Sequence, residues 1–345
     1  MIKRAAIAAF ILVLSTWAWI RFDFASIEVI GQPASTGLIQ RDLERPFFEG
    51  LSSNTGLPLR IRYRSLEMVG YKDTYQLSML KDGTIDLVSL RFTQNSLAMP
   101  ELMGVDLAGL NTSFEMGRAV VGAYASVIDQ ALQTRFGSKL LAIWPFGPQV
   151  LFCRKPITSL KDLAGLKVRI AGAALEPFML ALNATPVFTP YDDVTEALRI
   201  GLVDCAVTSS ASANFSGWPE YTTHYFPIPL QIGLNGYVIR LAIWNRLSSA
   251  QQKVLMAAFE KHTESIWSYA ELIHSATSSC NTGGECKLGV SYNMTNVSPS
   301  LEDLQTMQKI MKEQTFEKWS SVCDQVSETC SRVFRKQLPF VFSNE

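Results

Sequence analysis

The chain has 345 residues, enough for one large domain or two. Lys+Arg 31 balances Asp+Glu 31, which excludes the basic field expected of a nucleic-acid binder. With 48% hydrophobic residues a sizeable core can form.

Met1–Ile20 starts with Lys3-Arg4, continues through the apolar run Ala5–Leu14 and ends in a mixed stretch. That is the layout of a secretory signal peptide, with Thr16 and Ala18 as candidate −3 and −1 positions. Trp17, Trp19 and Ile20 lengthen the hydrophobic run toward the ~18 residues that span a bilayer, so an uncleaved anchor is the rival reading. A leader over 1–25 is expected, and the rest is expected to work outside the cytoplasm.

Ser26–Ile30 reads as the first strand, Gln32–Thr36 as a turn, and Gly37–Leu51 as a helix that Pro46 is placed to kink. Leu59, Ile61 and Tyr63 alternate with Arg60, Arg62 and Arg64, a half-buried strand with a basic outer face. Such a stripe is ordinarily solvated surface, and otherwise an interaction patch. Tyr71–Leu80 suits a helix ending at Gly83, and Ile85–Leu90 the next strand. Arg91 and Phe92 stand at its C-terminal end, where they can face a cleft. Phe114–Phe136 is the next helix. Leu140–Trp144 and Gln149–Cys153 read as strand, interrupted by Pro145, Gly147 and Pro148.

Ser159–Ser210 carries the clearest pattern. Leu166–Ile170 suits a buried strand, and Ala173–Leu182 a helix with Leu175, Phe178, Met179 and Leu182 on one face. Pro186–Phe188 is a second strand. Asp192 or Asp193 can cap a helix whose apolar positions are Val194, Ala197 and Leu198, with Gly201 as its C-terminal cap. Leu202–Val207 is a third strand. Strands alternating with helices imply parallel, right-handed β-α-β units.

Arg169 breaks this pattern. It points away from Val168 and Ile170, near the C-terminal end of a strand expected to be covered on both faces. Ligands of open α/β sheets bind at such ends, and a guanidinium offers a planar fork to a carboxylate. The chemistry alone leaves two readings: a ligand contact, or a structural ion pair with a nearby Asp or Glu. Thr208-Ser209-Ser210 follows the third strand, where hydroxyls can bond a ligand or cap the next turn. Asn214, Phe215 and Trp218 lie in the loop beyond; an aromatic there closes over a ligand or packs in the core.

Leu230–Leu241 reads as a return strand with a bend or bulge at Asn235-Gly236. Ser248-Ser249-Ala250-Gln251 is a capping box opening a helix to about Ser278, and Ser300–Trp319 is another helix. Six cysteines fit an oxidising compartment. Cys280 and Cys286 flank the loop NTGGE and suit a local bridge. In a continuous helix Cys323 and Cys330 would lie ~10 Å apart along the axis, too far to bond. Either the helix ends between them or each pairs with Cys280 or Cys286. Cys153 and Cys205 fall in expected buried strands and read as free thiols. None of these spacings is a metal site. His224, His262 and His274 are scattered, and no nucleophile-elbow, dinucleotide, P-loop or zinc-protease motif is present.

The runs DLAGLKVRIAG and ATPVFTPYDDVTEALRIGLVD resemble the substrate-binding proteins of tripartite ATP-independent periplasmic (TRAP) transporters, the DctP-like type. Members carry D-L-K-G-L-K-[IV]-R, then G-A-x-P-x-x-x-x-x-[SD]-[ED]-V-Y-x-A-L-Q-x-G-V-V-D-G, and the spacing here matches without gaps. KDGTIDLVSL is similar to the family's V-x-x-G-x-x-D-[IL] step. The likeness runs from about Ser26 to Trp319 and is strongest over Leu160–Asp204. It implies an α/β, two-lobed periplasmic-binding-protein fold with a hinge and long C-terminal helices. Lobe I is then 26–147 and lobe II 148–230; 231–345 returns to lobe I and adds C-terminal helices and a Cys-containing extension. The resemblance assigns Arg169 to the carboxylate of a small organic acid. Gln149 stands where some members carry Arg, and suits a hydroxyl or carbonyl oxygen instead. Thr208 stands where members place Asn or another polar residue, and Cys205 where they carry Gly. The implied protein is a periplasmic monomer without cofactor or metal that hands a small organic acid to TRAP membrane permease subunits. A membrane-tethered sensing subunit and an extracytoplasmic hydrolase are the alternatives.

Overall fold

A computed structural model describes residues 25–342; the expected leader and anchor lie outside the described residues. Among the described residues nine strands form one sheet: β1 (Ala25–Gly31), β2 (Leu59–Ser65), β3 (Leu87–Arg91), β4 (Ser138–Cys153), β5 (Lys167–Ile170), β6 (Thr185–Phe188), β7 (Cys205–Ser209), β8 (His224–Arg240) and β9 (Thr295–Asn296). Their order is β2-β1-β3-β8-β4-β7-β5-β6, with β9 beside β8. β1, β2 and β3 are mutually parallel, as are β5, β6 and β7. Between these halves the long strands β4 and β8 pair antiparallel.

Register explains where the two halves meet. β3 runs inward along β8, ending with Arg91 opposite Asn235. β7 runs inward along β4 from the opposite direction, ending with Ser209 opposite Gln149. The C-terminal ends of both halves therefore converge on the middle of the β4–β8 pair, the crevice position of open α/β sheets. β4 is continuous, not two strands: Pro145, Gly147 and Pro148 are absorbed by a bulge between Pro145 and Gly147. A bulge kinks a strand without ending its pairing.

Helices α1 (Arg45–Thr55), α2 (Gln76–Asp82), α3 (Phe114–Phe136), α4 (Glu176–Ala181), α5 (Val194–Ile200), α6 (Ser210–Phe215), α7 (Ser249–Asn281), α8 (Leu301–Ile310) and α9 (Phe316–Val326) cover the sheet. The expected capping box at Ser248 is formed, and a second one, from Ser300 and Asp303, opens α8. Pro46 lies in the first turn of α1, after a π-helical turn over Gln40–Glu44 that replaces the expected kink and turns Glu44 into the core. Pro46 lacks an N–H and clashes with a preceding carbonyl; the wider turn accommodates both.

The late helices touch both halves. Asp303 of α8 accepts from Leu160 N at 2.8 Å, and Trp319 Nε1 of α9 donates to Pro100 O at 2.8 Å. α9 ends before Cys330, which allows the Cys323–Cys330 bridge; Cys280–Cys286 also forms.

Several expectations need correction. Cys153 and Cys205 are not free thiols but a disulfide, because the β4–β7 register sets them directly opposite with Cα atoms 4.0 Å apart. β7 starts at Cys205 rather than Leu202: Leu202 and Val203 donate back to Ala197 O, closing the end of α5 around Gly201. Neither aspartate caps α5 through its side chain. Asp192 Oδ1 accepts instead from Ser35 Oγ at 2.6 Å. Gly236 is not a bend; a Cβ there would meet Phe92 Cε1 at 2.8 Å, so it admits the Phe92 ring.

Candidate functional site

The convergence of strand ends encloses a cavity of about 40 Å³, room for roughly three waters. Arg91 from β3, Gln149 from β4, Arg169 from β5, Thr208 from β7 and Asn235 from β8 all line it. Thr36, Thr93, Phe146 and Tyr191 complete much of the wall.

Arg169 is 2% exposed. Its Nε donates to Thr189 O and its Nη1 to Val207 O, each at 3.0 Å. Trp218 packs against it, with the guanidinium carbon 5.8 Å from the ring centroid. Among the described residues no carboxylate lies within ion-pair distance, and the other guanidinium N–H groups have no protein acceptor. The structural ion pair is therefore absent. Burial, then the nearby Arg91 charge, pulls the guanidinium down to about 10. It stays charged at neutral pH.

Arg91 is also buried, but its charge is matched: Nη1 donates to Asp73 Oδ2 at 2.8 Å. Gln76 and Asn95 hold its backbone, Gln76 Oε1 accepting from Arg91 N at 2.9 Å. Gln149 Nε2 is turned onto Gly147 O at 3.0 Å. No hydrogen bond to another protein group occupies the Thr208 hydroxyl or the Asn235 amide among the described residues, and Asn235 Nδ2 is buried without a partner.

Three expected site residues lie elsewhere. Phe92 is fully buried and packs over Gly236. Trp218 is buried in a core with Phe152 and Tyr191, and supports Arg169 from behind. Asn214 belongs to α6 and holds the segment after α7, donating to Asn281 Oδ1 at 2.7 Å and Val290 O at 2.8 Å. In each case packing decided a choice that the sequence left open. Asn235 and Tyr191 were not foreseen as site residues. The usable signal for Asn235 was a polar side chain beside a glycine in a mostly apolar strand, a signal it shares with Gln231 four residues earlier.

The two halves touch across the cleft. Beside the Ser35–Asp192 bond, a Cβ at Gly172 would come 2.5 Å from Thr93 O. Only glycine allows so close an approach.

Fold and cleft together define a two-lobed solute-binding protein. The sequence profile of the bacterial extracellular solute-binding proteins, family 7, matches residues 69–320, and the chain belongs to that family. A solute-binding protein of Roseobacter denitrificans is 27% identical over 217 residues, 61% of this chain and 65% of that one; the chain thus matches just under two thirds of that relative. An extracytoplasmic solute receptor of Bordetella pertussis binding pyroglutamic acid superposes with a TM-score of 0.78 at 18% identity, covering 91% of this chain and 99% of that one. A TRAP periplasmic solute binding protein of Rhodoferax ferrireducens with bound malonate gives 0.78 at 16% identity, covering 92% and 99%. These structural likenesses establish the fold. Among the described residues no helix is long and apolar enough to cross a membrane.

Proposed function

We propose that the protein captures a small organic acid outside the cytoplasm and delivers it to TRAP membrane permease subunits, acting as a periplasmic monomer without a cofactor, metal or catalytic step. One observation carries this reading: Arg169 is buried in the cleft, charged, and matched by no carboxylate among the described residues. A buried cation without a counter-charge is costly; an incoming carboxylate supplies that charge in bidentate geometry. Lobe I over 26–147 and lobe II over 148–230 would close on it by hinge motion about β4 and β8. The relatives named above, one with pyroglutamic acid and one with malonate, support the ligand class.

The test is thermal shift followed by calorimetry against mono- and dicarboxylates, keto acids, sugar acids and sulfonates. At least one carboxylate should stabilise the protein with 1:1 stoichiometry. Stabilisation by neutral solutes alone would overturn the reading.

A further inference from the structure

The charge count of the cleft narrows the ligand further, on the carboxylate reading given above. Two arginines line the cavity, yet only one is electrostatically unspent. Arg91 is joined to Asp73 at 2.8 Å, whereas Arg169 meets backbone carbonyls alone. Arg91, Arg169 and Asp73 therefore sum to a single positive charge. Asp106 stands behind the wall, bonded to the Thr93 hydroxyl, and burial pushes its carboxyl up to about 7. Protonated or not, it leaves at most one positive charge unmatched.

The rest of the wall offers donors that bring no unmatched charge. Asn235 Nδ2 and Arg91 Nε are buried and have no protein partner. Asn235 lies opposite Arg91 in the β3–β8 register, on a different strand from Arg169. Thr208 adds a hydroxyl. Buried donors left unmatched are costly, and a site built to hydrogen-bond a group rejects analogues lacking it. A second carboxylate would meet an arginine already neutralised by Asp73.

We infer that the site selects a monoanion: one carboxylate on Arg169 and, at the other end, an uncharged acceptor such as an amide, hydroxyl or carbonyl oxygen held by Asn235. Asp73 is the residue that sets this preference, by cancelling the second arginine.

Matched probes test it by calorimetry: malonate against malonamate, succinate against succinamate, and glutarate against glutaramate. Each pair differs only by one carboxylate replaced with an amide. The monoamide of the best-fitting length should bind at least 10-fold tighter than its dicarboxylate. Asp73→Asn should shift that ratio at least 10-fold toward the dicarboxylate, and Asn235→Ala should weaken the monoamide at least 10-fold. A dicarboxylate preferred by the unmodified protein overturns the inference while leaving the carboxylate reading intact. So does a ratio unmoved by Asp73→Asn in a variant that folds. Failure of all six probes to bind overturns the inference, while the carboxylate reading is decided by the wider screen of acids above.

Discussion

Replacing Arg169 with methionine separates a ligand contact from a structural cation. Met has similar volume and no charge. Burial and the Arg91 charge hold the guanidinium down at about 10, a penalty on the order of 3 kcal/mol that the variant no longer carries. Against this, Thr189 O and Val207 O lose their donors, at about 1–3 kcal/mol each. The two terms oppose, so stability in urea should fall by no more than ~3 kcal/mol. Breaking a buried ion pair would instead cost ~3–5 kcal/mol. Affinity should respond far more strongly. A ligand carboxylate left in the closed cleft without its partner loses ~2–5 kcal/mol, roughly 30- to 4,000-fold in Kd. Urea unfolding of the free protein and calorimetry with the bound acid give both numbers. A Kd within threefold of the unmodified protein would refute the reasoning.

Three further outcomes follow from other parts of the molecule. Glu44 is fully buried, takes Gln32 N–H on its carboxyl at 3.2 and 3.3 Å, and is pushed up to about 8. Its unfolded counterpart ionises near ~4.3, so the stability it adds is full below that pH and is lost as pH rises toward 8. Glu44→Gln should remove about 2 kcal/mol of the stability lost between pH 6 and pH 8; an unchanged pH slope would exclude Glu44 as the group responsible. The Cys153–Cys205 disulfide spans 52 residues, so Cys153→Ser with Cys205→Ser should lower unfolding free energy by about 4 kcal/mol. A loss below ~1 kcal/mol would show that the β4–β7 pairing is held without it. Gly172→Ala should weaken ligand binding at least tenfold while leaving free-protein stability within ~1 kcal/mol, because its Cβ meets Thr93 O only across the cleft; equal affinity would mean the lobes need not approach there.

Local signals made the elements legible and left the pairings hidden. Helix α3 covers the expected Phe114–Phe136, and the box at Ser248 marks a true helix start. Arg169 stood out because a charge in a short buried strand has few explanations, and the structure removed one of them. The Cys153–Cys205 bridge was illegible because it depends on β4 pairing with β7, a contact between strands about fifty residues apart in sequence. Phe92, Trp218 and Asn214 lay near strand ends or in the right loop, but the direction of each side chain was set by long-range packing. The pair Asn235-Gly236 carries the local signal of a bend or bulge; the glycine instead serves the Phe92 ring, and Asn235 lines the cavity.

A crystal structure of the protein holding its bound acid addresses the central claim most directly. The carboxylate oxygens should lie ~2.7–2.9 Å from the free N–H groups of Arg169, with Thr189 O and Val207 O still holding Nε and Nη1. An acid seated away from Arg169, its carboxylate met by other groups, would contradict the account.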